Sequence, residues 1–330
     1  MQLLVGDIGG TKTELALYDS AESNRRPSCS ARYPSTEFES LEEVVKCFLT
    51  EHPHDGIAAA AFGVAGPIVE QRCITTNLPW VIEGSALSTL LGCPVRLLND
   101  FETVALAMPR LQGDQLHALT ACPPDPDGPM AVLGAGTGLG EAIMVPDGRG
   151  ALRILPTEGG HCDLAARNDT EVALLRYLQK RFGRVSVERA VSGPGLAAVF
   201  DFVVDSHQGI PLPSTTVALS GDGDPGAIIG KLGLSREDPA CEKALMIFVE
   251  LYGAEAGNLA LKSLPTGGLF IAGGIAPKIL PALTGGHFMQ ALLDKGRMRA
   301  VLERLPIAIV LEPHTALIGA RQAAAELAGR

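Results

Sequence analysis

The sequence predicts an α/β chain of two lobes built on one repeated supersecondary unit. Three observations carry this. The chain has 330 residues, which at roughly 150 residues per domain is about two domains. Hydrophobic residues make up 46% and charged residues 19%, enough apolar material for a real core and too much for a disordered chain. One plan occurs twice, over 3–18 and again over 130–145: an apolar strand, a Gly/Thr-rich tight turn and a second apolar strand. Glycine is the default turn residue, so on spacing alone duplication and two unrelated hairpins both stay open.

The elements follow in order. Residues 3–6 and 15–18 are apolar strands around Asp7-Ile8-Gly9-Gly10-Thr11-Lys12-Thr13, a hairpin. Residues 23–30 read as a polar loop. Residues 41–49 place apolar side chains at helical spacing behind an acidic first turn, which predicts a helix. Residues 56–64 are a buried strand running into Gly66-Pro67, and 95–98 a short strand ending at Asn99-Asp100 before a helix over 101–108. The Pro/Asp run 122–129 is the best linker candidate, with a domain boundary close before it. Then come the second hairpin and a helix over 171–182 with Val172, Leu175 and Leu178 on one stripe. A Pro/Ser/Gly loop follows over 209–226, a long apolar helix over 244–264 and a strand over 268–275. The chain closes with a strand over 305–311 and a helix over 315–327. We expect a small lobe over 1–110 to which a helix over 314–330 returns, and a large lobe over 111–313.

Bulk properties exclude several function classes. The alanine-rich apolar stretch near 57–65 is far shorter than the ~18–20 residues of a membrane span. No cationic start, apolar block and cleavage site opens the chain. Net charge is −10, with one Trp and 5% aromatic residues, so phosphate neutralisation and base stacking are poorly supplied and nucleic acid is not an expected partner. The seven cysteines are scattered with no CxxC pair. They read as reduced thiols of a cytoplasmic protein, and no membrane partner is expected. The seven histidines form no metal-ligand spacing.

Three glycine segments carry candidate phosphate chemistry. Gly6, Asp7, Ile8, Gly9, Gly10 and Thr11 put a carboxylate beside a run of backbone N–H groups that an anion can approach without a Cβ clash. Asp7 is a candidate for Mg²⁺, held through water because Mg²⁺ keeps much of its hydration shell. Gly136, Thr137 and Gly138 offer a second cradle, and Gly273-Gly274 a bare backbone for an adenine or ribose. The P-loop fails because Thr11 separates Gly10 from Lys12, and the dinucleotide fingerprint does not fit 134–140. Each loop alone is also an ordinary turn; three together favour nucleotide binding. Lys12 reads equally as a phosphate contact and as a solvated hairpin tip.

A second constellation is polar. Asn99-Asp100 ends a short strand, where ligands sit in open α/β sheets. Glu158-Gly159-Gly160-His161 sets a carboxylate and an imidazole on a glycine turn, and Glu188 precedes the turn 192–195. Asn99, Asp100, Glu158, His161 and Glu188 suit a polyhydroxy ligand, with Asp100 as the base that removes a hydroxyl proton. Helix capping by Asn-Asp, a structural histidine and a solvated Glu188 are the competing readings.

On these residues the chain resembles the bacterial glucokinases of the hexokinase superfamily over nearly its full length. The stretches are VGDIGGTKTELALYD (5–19), TNLPW (76–80), LLNDFETVALAMP (97–109), LGAGTGLGEAI (133–143), EGGHCDLA (158–165), ERAVSGPGL (188–196), GAEAGNLAL (253–261) and FIAGGIAPK (270–278). DIGGT alone is widely shared; EGGH followed by ERxxSGPG is specific. The resemblance implies the actin-like ATPase fold, a duplicated ribonuclease H-like α/β fold whose two lobes hinge around a ligand cleft. It also implies ATP with Mg²⁺ as cofactors and phosphorylation of D-glucose at the 6-hydroxyl, the first step of glycolysis. Asn99, Asp100, Glu158, His161 and Glu188 match the sugar-contacting positions, with Asp100 as base. Sugar binding would close the lobes, and relatives suggest a homodimer. Lys12 stands where close relatives often carry Asn, and is usual in a neighbouring sugar-kinase group that includes repressors. That group carries a Cys-rich zinc motif after EGGH; here Cys162 is the only cysteine between 123 and 240, so structural zinc is not expected. The chain also begins directly with its first strand, without the repressors' helix-turn-helix. A kinase for mannose, fructose or an N-acetylhexosamine, and a non-catalytic sugar sensor, are the alternatives.

Overall fold

A computed structural model describes residues 1–19, 26–75, 78–148 and 152–329. Thr76 and Asn77 of the TNLPW stretch, and 23–25 of the expected polar loop, lie outside the described residues. The chain resolves into two units, residues 1–112 with 312–330 and residues 113–311.

The first unit opens with β1 (Gln2–Ile8) and β2 (Lys12–Asp19), an antiparallel hairpin, followed by β3 (Cys29–Pro34). α1 (Leu41–Glu51) starts where the Ser40 hydroxyl accepts the Glu43 N–H at 3.3 Å, a side-chain cap for one orphan donor. Its apolar stripe, Leu41, Val44, Val45 and Phe48, is fully buried. β4 (Ile57–Val64), a near-continuous apolar run, pairs parallel with β1, as a strand buried on both faces does. A ribbon of β5 (Arg72–Ile74) and β6 (Val81–Glu83) leads into α2 (Gly84–Leu91). β7 (Val95–Asn99) pairs parallel with β4 and runs straight into α3 (Asp100–Ala107). The sheet order is β3-β2-β1-β4-β7.

The second unit repeats the order with one added edge strand. β8 (Leu116–Ala118) is that edge; β9 (Met130–Ala135), β10 (Leu139–Pro146) and β11 (Leu152–Thr157) form the antiparallel meander. The helices α4 (Asp169–Phe182), α5 (Gly193–Asp205), α6 (Pro213–Leu219), α7 (Pro225–Ser235) and α8 (Pro239–Ser263) follow. Then come β12 (Gly268–Ala272), the short helices α9 (Leu280–Thr284), α10 (His287–Leu293) and α11 (Arg299–Leu302), and β13 (Ile307–Val310). The order is β11-β10-β9-β12-β13-β8, with β9, β12 and β13 parallel. Each unit thus has three antiparallel strands continued by two parallel ones, so the repeat read from the two hairpins extends to whole sheets.

Three expectations change. The run 122–129 is no linker between units. It lies inside the second unit, where Asp125 N–H donates to Thr266 O at 2.9 Å and Gly267 N–H to Pro129 O at 2.9 Å. The expected loop over 209–226 contains α6 and the start of α7. Pro213 and Pro225 sit in first turns, where a missing N–H does no harm. Asp224 caps α7, and the buried Asp238 accepts from Leu212 N–H and Thr215 Oγ1, both at 2.7 Å, at the start of α6. On α4 the enclosed residues are Leu174, Leu178 and Glu171, with Val172 and Leu175 half-buried, because Arg167 pairs with the Glu171 carboxylate. α8 is long and apolar enough to cross a bilayer, yet 78% of its most apolar window is buried, and it is the central helix of this unit's core.

The last helix, α12 (Thr315–Leu327), belongs to the first unit. It lays Leu317, Ala320, Ala323 and Ala324 against Leu3, Val5, Ala59 and Ala61. Gly319 permits this, since a Cβ there would overlap the Thr103 carbonyl of α3.

Candidate active site

The first hairpin turn is Gly9-Gly10-Thr11, closed by Gly9 N–H donating to Lys12 O at 2.9 Å. Gly6 and Ile8 lie before it in β1 and are buried. A Cβ on Gly6 would stand 2.7 Å from Leu15 and 2.8 Å from Phe62. Gly6 therefore serves sheet packing, and the backbone open to an anion is residues 9–11. Asp7 is half-buried at the end of β1. Its carboxyl is pushed up to about 6, first by burial and then by the negative charge of Asp100; Lys12 and Arg32 oppose the rise and Glu14 adds to it.

Asn99 and Asp100 stand at the carboxyl end of the same parallel strands, since Ile8 registers with Val64 and Val64 with Asn99. Asn99 Oδ1 accepts the Phe101 N–H at 2.9 Å and its Nδ2 donates to Gly66 O at 3.1 Å. The side chain is thus the cap of α3, and these two bonds use two of its four hydrogen-bonding sites. Asp100 Oδ1 accepts the same Phe101 N–H at 2.8 Å. This anchors the carboxylate at a helix N-terminus, where negative charge is favoured. The structure brings Asp7, Gly9-Gly10-Thr11, Asn99 and Asp100 together in the first unit.

In the second unit the β9–β10 turn is pinned from outside. Gly136 N–H donates to Gly138 O, and Gly193 N–H at the start of α5 donates to Gly136 O, both at 2.8 Å. Gly273 has φ +83° and abuts Ala135 so closely that a Cβ would overlap the backbone there; only glycine fits. The Tyr252 hydroxyl, fully buried, donates to Ala272 O and accepts the Ala135 N–H, each at 3.2 Å, joining the ends of β9 and β12. Beyond these ends lies a cavity of about 970 Å³, at the upper end of the size range of small-molecule sites. Gly136, Thr137, Gly193, Gly274, Lys231 and Lys278 are among its lining residues. Two glycine segments far apart in sequence thus wall one space.

Glu158, His161 and Glu188 gather beside the same turn. Gly159–His161 form a 3₁₀ turn after β11, and Val187–Arg189 another before α5. They are joined by Val187 N–H to Cys162 O at 2.9 Å and Arg184 Nη2 to His161 O at 2.7 Å. Glu188 Oε2 accepts the Leu139 N–H at 2.9 Å, so Glu188 is tied to the β9–β10 hairpin rather than solvated at a helix end. The side chains of Glu158 and His161 are exposed and that of Glu188 half-buried.

A family model described as Glucokinase matches residues 4–327. This chain belongs to the glucokinase family. The glucokinase of Nostoc punctiforme is 42% identical over 339 residues, covering 98% of this chain and 99% of the relative. A solved glucokinase from an Antarctic psychrotroph is 31% identical with a TM-score of 0.83, covering 98% and 99%. The Balamuthia mandrillaris glucokinase, solved in complex with glucose, shares the fold at 21% identity and TM-score 0.81, covering 98% of this chain and 93% of that one. The fold of this family member is therefore the two-lobed actin-like ATPase fold.

Sequence reasoning missed Lys231 and Lys278, the cations of the cavity wall. Lys278 follows the double glycine closely and was findable. Lys231 sits on α7, whose start was read as loop. Among the described residues no group of three or more His, Cys, Asp or Glu side chains is arranged to hold a metal. The acidic pair Asp7 and Asp100 fits a cation that takes most of its ligands from phosphate and water.

Proposed function

We propose that this chain transfers the γ-phosphoryl group of ATP to the 6-hydroxyl of D-glucose, yielding glucose 6-phosphate, the entry reaction of glycolysis. Family membership supports the reaction, and the cavity walled by Gly136, Thr137 and Gly274 carries the assignment of nucleotide binding to particular residues. Asn99, Glu158, His161 and Glu188 bind the sugar hydroxyls, each with hydrogen-bonding capacity left after its structural contacts. Asp100 accepts the proton of the attacking hydroxyl, a role typically worth about 10²–10⁴-fold. Apart from the Gly9 and Gly136 N–H groups, which close them, the turns 9–11 and 136–138 receive phosphate oxygens on backbone N–H groups. Asp7 would hold Mg²⁺, and the bound ion would neutralise phosphate charge. Phosphoryl transfer draws most of its acceleration from such positioning and charge stabilisation, which is why so few side chains suffice.

A hexose panel assayed by ADP release, with ATP and with polyphosphate as donors, tests this. The expected result is ATP-dependent turnover with glucose as the best acceptor. Turnover with mannose, fructose or an N-acetylhexosamine alone would replace the substrate. Sugar binding without any ADP release would make the chain a sensor.

A further inference from the structure

Glu141 and Glu255 are not part of the reading above. Glu141, on β10, is 3% exposed, and Glu255, on α8, is 4% exposed. Glu255 Oε2 accepts from Asn258 Nδ2 at 2.9 Å. Among the described residues, Glu141 Oε1 and Glu255 Oε1 have no hydrogen-bond partner. A buried carboxylate without partners is strongly disfavoured. Glu255 keeps Asn258 and, at 3.7 Å, Lys262 Nζ, so one oxygen of each carboxyl is left without a hydrogen bond, and two neighbouring carboxyls relieve this by keeping one proton between them.

The pair has a specific position. A Cβ on Gly159 would overlap Glu141 Oε2, so the backbone between Glu158 and His161 lies directly on this carboxyl. Thr157 extends the contact: its Oγ1 donates to Glu141 O at 3.0 Å and accepts the Gly159 N–H at 3.2 Å. Burial and the charge of Glu255 push the Glu141 carboxyl up to about 7.

The other charged and titratable groups facing the pair are few. On α8, Lys262 Nζ stands 3.7 Å from Glu255 Oε1, and the Tyr252 hydroxyl is held above its ordinary range by burial and by Glu141. Beyond α10, Lys295 Nζ donates to Asn258 Oδ1 at 2.7 Å and to Ala254 O at 3.0 Å. Burial and the charge of Arg167 hold Lys295 below its ordinary value, against Glu255, Asp294 and Glu171. Arg167 is itself paired with Glu171. Glu158 and His161 are the groups on the turn itself.

We propose that Glu141 and Glu255 hold one shared proton and that this pair positions the Glu158–His161 turn, so that loss of the proton weakens sugar binding. The positioning half rests on the assignment of Glu158 and His161 to the sugar. With the proton in place, one carboxyl donates to the other and the turn rests on a mono-anionic floor. Without it, two anions repel beneath Gly159, and the turn shifts.

Two measurements on the full-length enzyme test this. In protein labelled with ¹³C at the glutamate δ-carbon, the Glu141 signal, identified by its loss in Glu141→Gln, should titrate with a midpoint near neutrality. The KM for glucose should rise by about tenfold from about pH 6.5 to about pH 8.5 in the wild type, within the limit set by release of one proton. In Glu141→Gln, which is neutral at every pH, it should vary by no more than about twofold over that range, with kcat following the wild-type pH profile in both. Glu255→Gln should behave alike and covers the case in which the first variant fails to fold. A Glu141 midpoint in the ordinary carboxylate range overturns the shared proton. A neutral midpoint with an unchanged KM slope in both variants overturns the positioning. Glu158→Gln with a wild-type KM overturns the sugar assignment and the positioning with it, while the titration still decides the proton.

Discussion

The two hairpin turns share a plan and differ in how each is paired with an acid. In the first unit the acid is on the hairpin strand itself: Asp7 ends β1 beside the bare turn 9–11, and Asp100 adds its charge from α3. In the second unit the turn 136–138 has no acid at its tip, Glu188 reaches it from another segment, and the cavity beyond it is bordered by Lys231 and Lys278. The difference teaches that a duplicated scaffold supplies two glycine turns, while neighbouring residues set the charge around each. On the proposed function, the first turn, where Asp7 and Asp100 stand with Lys12, serves a cation and a proton transfer, and the second, on a cavity lined by Asp224, Lys231 and Lys278, serves the phosphates and nucleoside. Buried acids divide in the same way. The Asp7 carboxyl is half-buried, whereas Glu141 is enclosed, with the charge of Glu255 acting on it.

Substitutions that break this division should fall in a definite order. Asp100→Asn should lower kcat by about 10²–10⁴-fold, read by coupled ADP release at saturating ATP and glucose. Asp7→Asn should weaken the apparent Mg²⁺ affinity by about 10–100-fold, the range for residues that orient a metal's ligands. A Mg²⁺ titration of activity reads it, and rising metal should restore part of the rate. Lys231→Ala and Lys278→Ala should each raise the KM for ATP by about fivefold, or about 1 kcal/mol for an exposed charge contact, with the KM for glucose unchanged. An equal rise in both constants would remove the distinction between the two turns.

A separate effect is on stability. Because burial and the charge of Glu255 hold the Glu141 carboxyl near 7 in the folded chain, above its ordinary 4.5, the folded state binds more protons than the unfolded state between these values. Stability contributed by this group is full below about 4.5 and falls as pH rises through about 7. Glu141→Gln should therefore have a higher Tm than wild type at pH 8 and the same Tm at pH 5, measured by thermal unfolding. A Tm difference independent of pH would show that the side chain matters only through packing.

Much of the fold was legible because glycine and apolar runs mark hairpins and buried strands plainly. The two parallel-strand cores and α12 were readable for that reason. α6 and the start of α7 were not, because Pro, Ser and Gly suggest loop until one knows that Pro213 and Pro225 occupy first turns. Gly6 was read as part of the phosphate loop because the motif runs on from it, while its neighbours Leu15 and Phe62, which explain the glycine, are distant in sequence. The family pattern names Asn99, Asp100, Glu158, His161 and Glu188 together; the structure shows Asn99 beside Asp100 in the first unit and Glu158, His161 and Glu188 in the second. Lys231 and the Glu141–Glu255 pair were not legible, since only tertiary packing brings α7 to the cavity and α8 against β9.

The most direct measurement of the central claim is calorimetric titration of glucose into Asp100→Asn beside wild type. If Asp100 acts as the base, glucose should still bind, within about tenfold of wild type given that a hydrogen bond to a neutral partner replaces one to a charged group, while turnover is almost gone. Wild-type turnover in this variant, or binding lost as completely as turnover, would contradict it.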